Sequence, residues 1–284
     1  MRCLTSRKMP LRSVIGACIM VLFMGSLARA EGTLDKIKRD GVFLAGVRFD
    51  SPPDGTVDLS GNPVGFGPDL AKAIADVLGV KVKYVQVNSQ TRVPMLLNGQ
   101  IDADFDLATP YKQREETVDF TIPYVWDSTT ILIHKGDDPD PAHYGPPKQV
   151  ATTQGSSNNA VFLAVVPTGK FVYFQEYPDA IAALRNHKVD AVVLNRALTP
   201  KAIKSDPDLV AGNDIGLDPW AIMLRQDDSK WRNFLNWTMQ EMWAKGQYQT
   251  MYAKWFGEEP RWHMWSEFEL QPGIGTDQER KDHK

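Results

Sequence analysis

Three arginines in this sequence follow apolar runs closely, and each is built to bind an anion. Arg114 lies in the loop "TPYKQRE", a few residues after the run "IDADFDL", with Thr109 just upstream. A guanidinium offers a planar fork that grips a carboxylate through two charge-assisted hydrogen bonds, and a threonine hydroxyl can add another. Arg48 closes "FLAGVR", and "NSQTR" sets Ser89 and Arg92 after the next apolar run, so both loops can reach one end of a common sheet. A further segment, "TTQGSS", places Thr153, Gly155 and Ser156 at a strand-to-helix turn, where hydroxyls and free N–H groups favour an anion. Plainer readings stand beside these. Arg114 can pair with Glu115 or Glu116 at the surface, Arg92 can be a solvated residue in a first helical turn, and the Ser156 loop can merely cap its helix.

Signs of catalysis are missing from the sequence. His134, His143, His187, His263 and His283 show no ligand spacing, there is no G-x-S-x-G, P-loop or H-E-x-x-H, and "GFGPD" matches only part of a dinucleotide fingerprint. Neither a cofactor nor a metal site is expected.

The amino terminus reads as a secretory signal. Arg2, Arg7, Lys8 and Arg12 precede the apolar run "VIGACIMVLFMGSL", which gives way to "ARA", so cleavage is expected after Ala30 and the mature chain is placed in the periplasm. The run is shorter than the roughly 20 residues that span a bilayer, and Cys18 lies inside it rather than after it, which argues against both an anchor and a lipoprotein signal. Cys3 and Cys18 both fall in the leader, so the mature chain has no thiol. The leader also carries five of the 32 basic residues and no acidic one, leaving 27 against 35, a net charge near −8. Nucleic acid is thereby an unsuitable partner, since phosphate binding wants a basic surface.

Strand-like and helical runs alternate along the rest, which predicts α/β layers. "VFLAGV" reads as a strand, and "PDLAKAIADVLG" as a helix starting at Pro68 with Leu70, Ile74, Val77 and Leu78 on one face and Gly79 as its stop. "VKYVQV", a short helix at "RVPMLLN" and the strand "IDADFDL" complete a unit. "QVATT", a helix from about Ser157, "KFVYF", "PDAIAALRN" and "VDAVVL" repeat the order. The phrases "NGQIDADFD" and "NHKVDAVVL" sit at equivalent places, where a polar turn feeds a buried strand. Two similar lobes are expected, crossed twice near 131–136 and 212–219, with "WAIMLR" returning to the first. The expected division is signal peptide 1–30, first lobe 31–132, second lobe 133–216, a return with C-terminal helices over 217–258, and a partly disordered tail 259–284. Trp231, Trp237, Trp243 and Trp255 lie on those helices and read as core packing.

"LDKIKRDGVFLAGVRFDSPPD", "GNPVGFGPDLAKAIADVLG", "NSQTRVPMLLNGQIDAD", "TPYKQREETVDFTIPY", "GSSNNA" and "YAKWFG" together resemble a periplasmic solute-binding protein of the polar amino-acid ABC transporter family, family 3, over about residues 33 to 257. The resemblance implies a type II two-lobed α/β fold that closes on one small ligand, works as a monomer beside a membrane permease and does no chemistry. The family's carboxylate-binding Arg and Thr match Arg114 and Thr109, and Arg48, Ser89 and Arg92 resemble the glutamate/aspartate-binding branch. An anionic ligand, an acidic or polar amino acid or a dicarboxylate, is what this implies. Departures are plain. Asn195 stands where the family has an ammonium-binding Asp, Asp54 where an aromatic residue packs on the ligand, Leu107 where a small or hydroxyl residue is usual, and Tyr111 where a second Thr often lies. Asp54 is accordingly a candidate substitute for the ammonium partner. Two other roles stay open: a periplasmic partner of an enzyme or sensor, suited by Asn195, Asp54 and the Trp-rich end, and a cyclohexadienyl or arogenate dehydratase. For the latter, Asn158 and Asn159 stand where an acid is needed.

Overall fold

The computed structural model describes residues 31–264, so the expected signal peptide, both cysteines and the tail beyond 264 lie outside it. The first lobe starts with helix α1 (Thr33–Asp40), which ends on Gly41 at a φ of 65° and turns into strand β1 (Val42–Val47). A small antiparallel sheet follows, β2 (Asp50–Ser51), β3 (Gly55–Val57) and β4 (Pro63–Val64). Helix α2 (Phe66–Leu78) buries Leu70, Ala71, Ile74 and Ala75 as one stripe and stops at Gly79. It begins ahead of Pro68, and Val77 is exposed rather than buried, because the stripe that meets the sheet is centred on the helix's first three turns. Then come β5 (Lys81–Gln86), α3 (Arg92–Leu97) and β6 (Ala103–Asp104). The strand expected over "IDADFDL" shrinks to two laddered residues. The chain leaves the ladder past Asp104, and Leu107 adopts a left-handed φ of 35° that turns Ala108 and Thr109 toward the centre of the molecule.

After α4 (Lys112–Glu115), strand β7 (Val118–His134) runs unbroken out of the first lobe. The second lobe holds β8 (Val150–Thr153), α5 (Asn158–Val165), β9 (Phe171–Phe174), α6 (Tyr177–Arg185), β10 (Ala191–Asn195) and α7 (Thr199–Ser205). Strand β11 (Leu209–Arg225) then returns, and α8 (Ser229–Ala244) and α9 (Gln247–Phe256) pack on the first lobe with α1 and α2.

All the larger strands form one sheet in the order β5-β1-β6-β11-β7-β10-β8-β9. The antiparallel pair β7 and β11 is its spine. At one end β11 pairs with β6 through Met223 and Asp104, and at the other β7 pairs with β10 from Thr129 to Leu132. Ile131 and Leu132 therefore already stand in the second lobe, so the first crossing falls near Trp126 to Ser128, earlier than the segment 131–136. No turn residue marks it, since the strand passes straight through. The register of the pair is continuous through the crossing and slips on either side of it, between Ala211 and Gly216 toward the second lobe and between Trp220 and Met223 toward the first.

Trp231 and Trp243 are buried, with the Trp231 indole donating to the Asp102 carbonyl at 3.1 Å, whereas Trp237 is 43% exposed. Past α9 the chain packs back as far as Met264: Trp262 meets Tyr252 edge-on and Met264 is buried.

Candidate functional site

The first lobe presents a buried cluster of alternating charge. Arg48, fully buried at the end of β1, grips Asp50 with two bonds, Nε at 2.6 Å and Nη2 at 2.7 Å, and donates to Ser89 Oγ at 3.2 Å. Its Nη1 also reaches Asp106 at 3.4 Å, and Asp106 Oδ2 lies 3.3 Å from Arg92, which donates to the Asp106 carbonyl as well. Burial alone pulls the Arg48 guanidinium down, but Asp106 and Asp50 outweigh it and hold the group firmly charged. Arg92 is buried at the start of α3, not solvated.

Arg114 stands apart from these pairs. It is 8% exposed, donates to the Thr109 carbonyl at 2.9 Å and lies 4.5 Å from the Tyr111 ring, and it makes no ion pair among the described residues, so the surface pairing with Glu115 or Glu116 is not found. Burial, and after it the neighbouring Arg92, pulls its pKa down to about 10.

Donors on the second lobe are neutral. Thr153, at the end of β8, is fully buried and its hydroxyl makes no hydrogen bond. Gly155 has a φ of 81° and sits so close to the first lobe that a Cβ there would lie 2.6 Å from the Ser89 carbonyl oxygen. Ser156 Oγ accepts from Asn158 N at 3.2 Å, a local turn just ahead of α5 whose N-cap is Ser157, and lies 3.4 Å from the Tyr177 hydroxyl. Asn195, at the end of β10, donates to Asp218 on β11.

Hydrogen bonds between the lobes gather these groups. Thr109 Oγ1 shares a hydrogen with Ser157 Oγ at 2.9 Å and donates to Asp218, so Asp218 accepts from a residue of each lobe. Asn88 donates to Glu176 at 3.0 Å, Glu176 lies 3.5 Å from Arg48, and Tyr177 N donates to Asp50 at 3.3 Å. Burial, and next the adjacent Asp50, pushes the Glu176 carboxyl up to about 7. A separate cavity of about 340 Å³, lined by Phe49, Ile181, Leu198 and Lys201, shares Asp50 and Tyr177 with this network but none of the three arginines.

Of the ten residues singled out in the sequence, Arg48, Ser89, Thr109 and Gly155 approach the opposite lobe and Asn195 bonds to the crossing strand, while the contacts of Arg92, Arg114 and Ser156 stay within their own lobes. Asp54 differs in kind. It is fully buried, neither oxygen is hydrogen-bonded, and burial, with Asp106 behind it, pushes its pKa well above the carboxylate range. Sequence reasoning missed Asp50, Asp104, Asp106, Asn158, Glu176, Tyr177 and Asp218. For two of them a signal existed: Asp102, Asp104 and Asp106 alternate, the period that puts side chains on one face of a strand. Asp218 carries no such mark. Among the described residues no group of three or more His, Cys, Asp or Glu is placed to hold a metal.

The chain is similar to known proteins in sequence and fold. The chain is 30% identical to the ABC transporter glutamine-binding protein of Bacillus subtilis over 81% of its own length and 86% of the relative's. It is 25% identical to the glutamate/aspartate import solute-binding protein of Escherichia coli, covering 87% of this chain and 89% of that one. Among solved structures, an ancestral amino acid-binding protein described as a precursor of cyclohexadienyl dehydratase superposes with a TM-score of 0.75 at 28% identity, covering 79% of this chain and 99% of that one. Such neighbours have the two-lobed type II fold that the sequence resemblance implied. Residues 44–258 match the bacterial extracellular solute-binding proteins, family 3, and with the fold and the cleft in agreement the chain belongs to that family.

Proposed function

We propose that the chain is a periplasmic receptor that closes, as a monomer, on one polar amino acid and presents it to the membrane permease of an ABC importer. One observation carries this reading: half-buried Thr109 of the first lobe, whose carbonyl holds the buried Arg114 guanidinium, meets neutral Ser157 of the second lobe and, through Asp218, Asn195, across a junction spanned by two crossing strands. A site divided this way binds fully only when the lobes come together, so ligand and closure are linked. The relatives named for glutamine and for glutamate/aspartate support an amino acid as the solute.

The charges narrow the ligand further. Arg48 and Arg92 already hold Asp50 and Asp106, so two of the three guanidiniums are balanced inside the protein. Arg114 is the cation left for a ligand carboxylate, with the unpaired Thr153 hydroxyl as a partner from the second lobe. A second ligand carboxylate, as in the acidic amino acid or dicarboxylate suggested by Arg48, Ser89 and Arg92, has to compete with Asp50 and Asp106. Glutamine therefore suits the site as well as glutamate does.

A thermal-shift screen of the mature protein, stripped of ligand by partial unfolding, tests this against glutamine, glutamate, aspartate, arginine and succinate. At a hundred times Kd a ligand adds about 2.7 kcal/mol of stability, a shift of several degrees. Stabilisation by an amino acid and not by succinate is expected. Silence across the panel would overturn the reading in favour of a protein partner, and turnover of prephenate or arogenate would do so in favour of the dehydratase.

A further inference from the structure

We infer that Asp218 receives the ammonium group of the bound amino acid, supplying from the crossing strand the charge that Asn195 lacks; this rests on the amino-acid reading above. Asp218 lies on β11 where the lobes meet and is 1% exposed. Thr109 of the first lobe donates to its Oδ1 and Asn195 of the second to its Oδ2. Asn158 accepts from Thr129 Oγ1 at 2.8 Å and donates to Asn195 Oδ1 at 2.9 Å, which turns the Asn195 amide nitrogen toward Asp218. A carboxylate has about four lone-pair positions, so these donors leave room for another, and Oδ1 has only Thr109.

Placement relative to the anion site is what gives this residue its role. Thr109 holds both ends of the arrangement, its carbonyl taking Arg114 and its hydroxyl reaching Asp218. A buried cation and a buried anion are thus separated by one residue's backbone and side chain, which matches a carboxylate and an ammonium carried on a single carbon. Burial raises the Asp218 pKa, while the bonds from Thr109 and Asn195 and the nearby Arg92 and Arg114 favour its charged form.

Asp54, the substitute suggested by the sequence, is placed differently. The charged groups that act on it, Asp106, Arg48, Asp104 and Asp50, all belong to the first lobe, and its carboxyl lies against the start of α2, 3.5 Å from where a Cβ on Gly67 would be.

Calorimetric titration of L-glutamine and L-glutamate against their des-amino counterparts, glutaramate and glutarate, tests the assignment in wild type, Asp218→Asn and Asp54→Asn. Wild type is expected to prefer the amine-bearing ligand by tenfold or more. Asp218→Asn should erase that preference, losing roughly tenfold to a hundredfold for the amino acid and less than about threefold for the des-amino acid. Asp54→Asn should keep it. An equal loss for both ligand types in Asp218→Asn would show a structural link only and overturn the inference, as would a preference that vanishes with Asp54→Asn. Equal binding of both ligand types by wild type also overturns it while leaving the amino-acid reading standing, whereas no binding of either amino acid by wild type removes both.

Discussion

The two phrases that begin alike end in opposite chemistry. "NGQIDADFD" leads into β6 and "NHKVDAVVL" into β10, at equivalent places in the two lobes. In the first, Asp102, Asp104 and Asp106 are all buried; Asp102 is tied to Lys36 at 2.9 Å, and Asp106 to Arg48 and Arg92. In the second, Ala191 to Leu194 are buried apolar residues and the acid, Asp190, stays at the exposed edge. The difference shows a division of labour. Charge is assembled within one lobe, where the partners are already desolvated and paired, and the other lobe brings hydroxyls and amides to it. Closure then avoids most of the penalty of stripping water from two unpaired charged surfaces at once.

Removing the charge at the centre of the first lobe is the harshest way to break that comparison. Asp106→Ala leaves Arg48 and Arg92 buried with one carboxylate fewer and should destabilise the protein by about 3–5 kcal/mol, read as a fall in Tm by calorimetry. Asp190→Ala gives up one hydrogen bond, from Gln149 N at 2.6 Å, and should cost about 1 kcal/mol. Equal losses would mean that the two strands play equal parts. Next in size is affinity. Arg114→Ala should weaken amino-acid binding about tenfold to a hundredfold, since a charged hydrogen bond is worth roughly 1.5–3 kcal/mol, and Arg114→Lys should recover part of it. Thr153→Ala, on the neutral side, should lose about tenfold or less, as measured by the same titration.

What the sequence disclosed, and what it hid, follows the same division. The helix stop at Gly79 and the strand at 42–47 are local signals, legible because a left-handed glycine or a run of apolar residues acts on its own neighbourhood. Arg48, Ser89, Arg92, Thr109 and Arg114 were legible as candidates because each follows an apolar strand in a polar loop. Their partners were not. Asp50 reads as a turn residue, Glu176 as a surface residue before a helix, and Asp218 as a polar residue before a proline. Each becomes part of the site only through contacts between segments far apart in sequence, such as Asn88 with Glu176 and Thr109 with Asp218. The first crossing was misplaced for a related reason: β7 passes between lobes without any break in strand propensity from Val118 to His134.

Gly155 offers a gentler test, because it touches the other lobe only when the lobes are together. A Cβ at this position would come within 2.6 Å of the Ser89 carbonyl oxygen, while at Gly136, whose φ is 92°, nothing lies within 4 Å. Both alanine variants should lose about 1 kcal/mol of stability from the left-handed backbone. Gly155→Ala alone should also weaken ligand binding, by about tenfold, since the clash acts on the closed arrangement. Calorimetric titration of the two variants side by side separates the cross-lobe contact from the backbone effect; equal affinities would place Gly155 outside the closing surface.

A pH profile tests the one charge that the second lobe brings. Glu176 is its contribution to the junction, 3.5 Å from Arg48 and bonded by Asn88, and burial with Asp50 alongside raises its carboxyl to about 7. In an opened cleft the same group returns toward its ordinary value of 4.5. Between those values the closed form holds a proton that the open form releases, so this contribution to closure is complete below the lower value and disappears as pH rises through about 7. Ligand affinity should therefore fall as pH rises from about 5 to about 8, measured by titration in one buffer series. Glu176→Gln, neutral throughout, should flatten the profile. A slope that persists in that variant would move the proton to Asp127 on β7, which burial also raises to about 7, and the charge that senses pH would then belong to the crossing strand rather than to the second lobe.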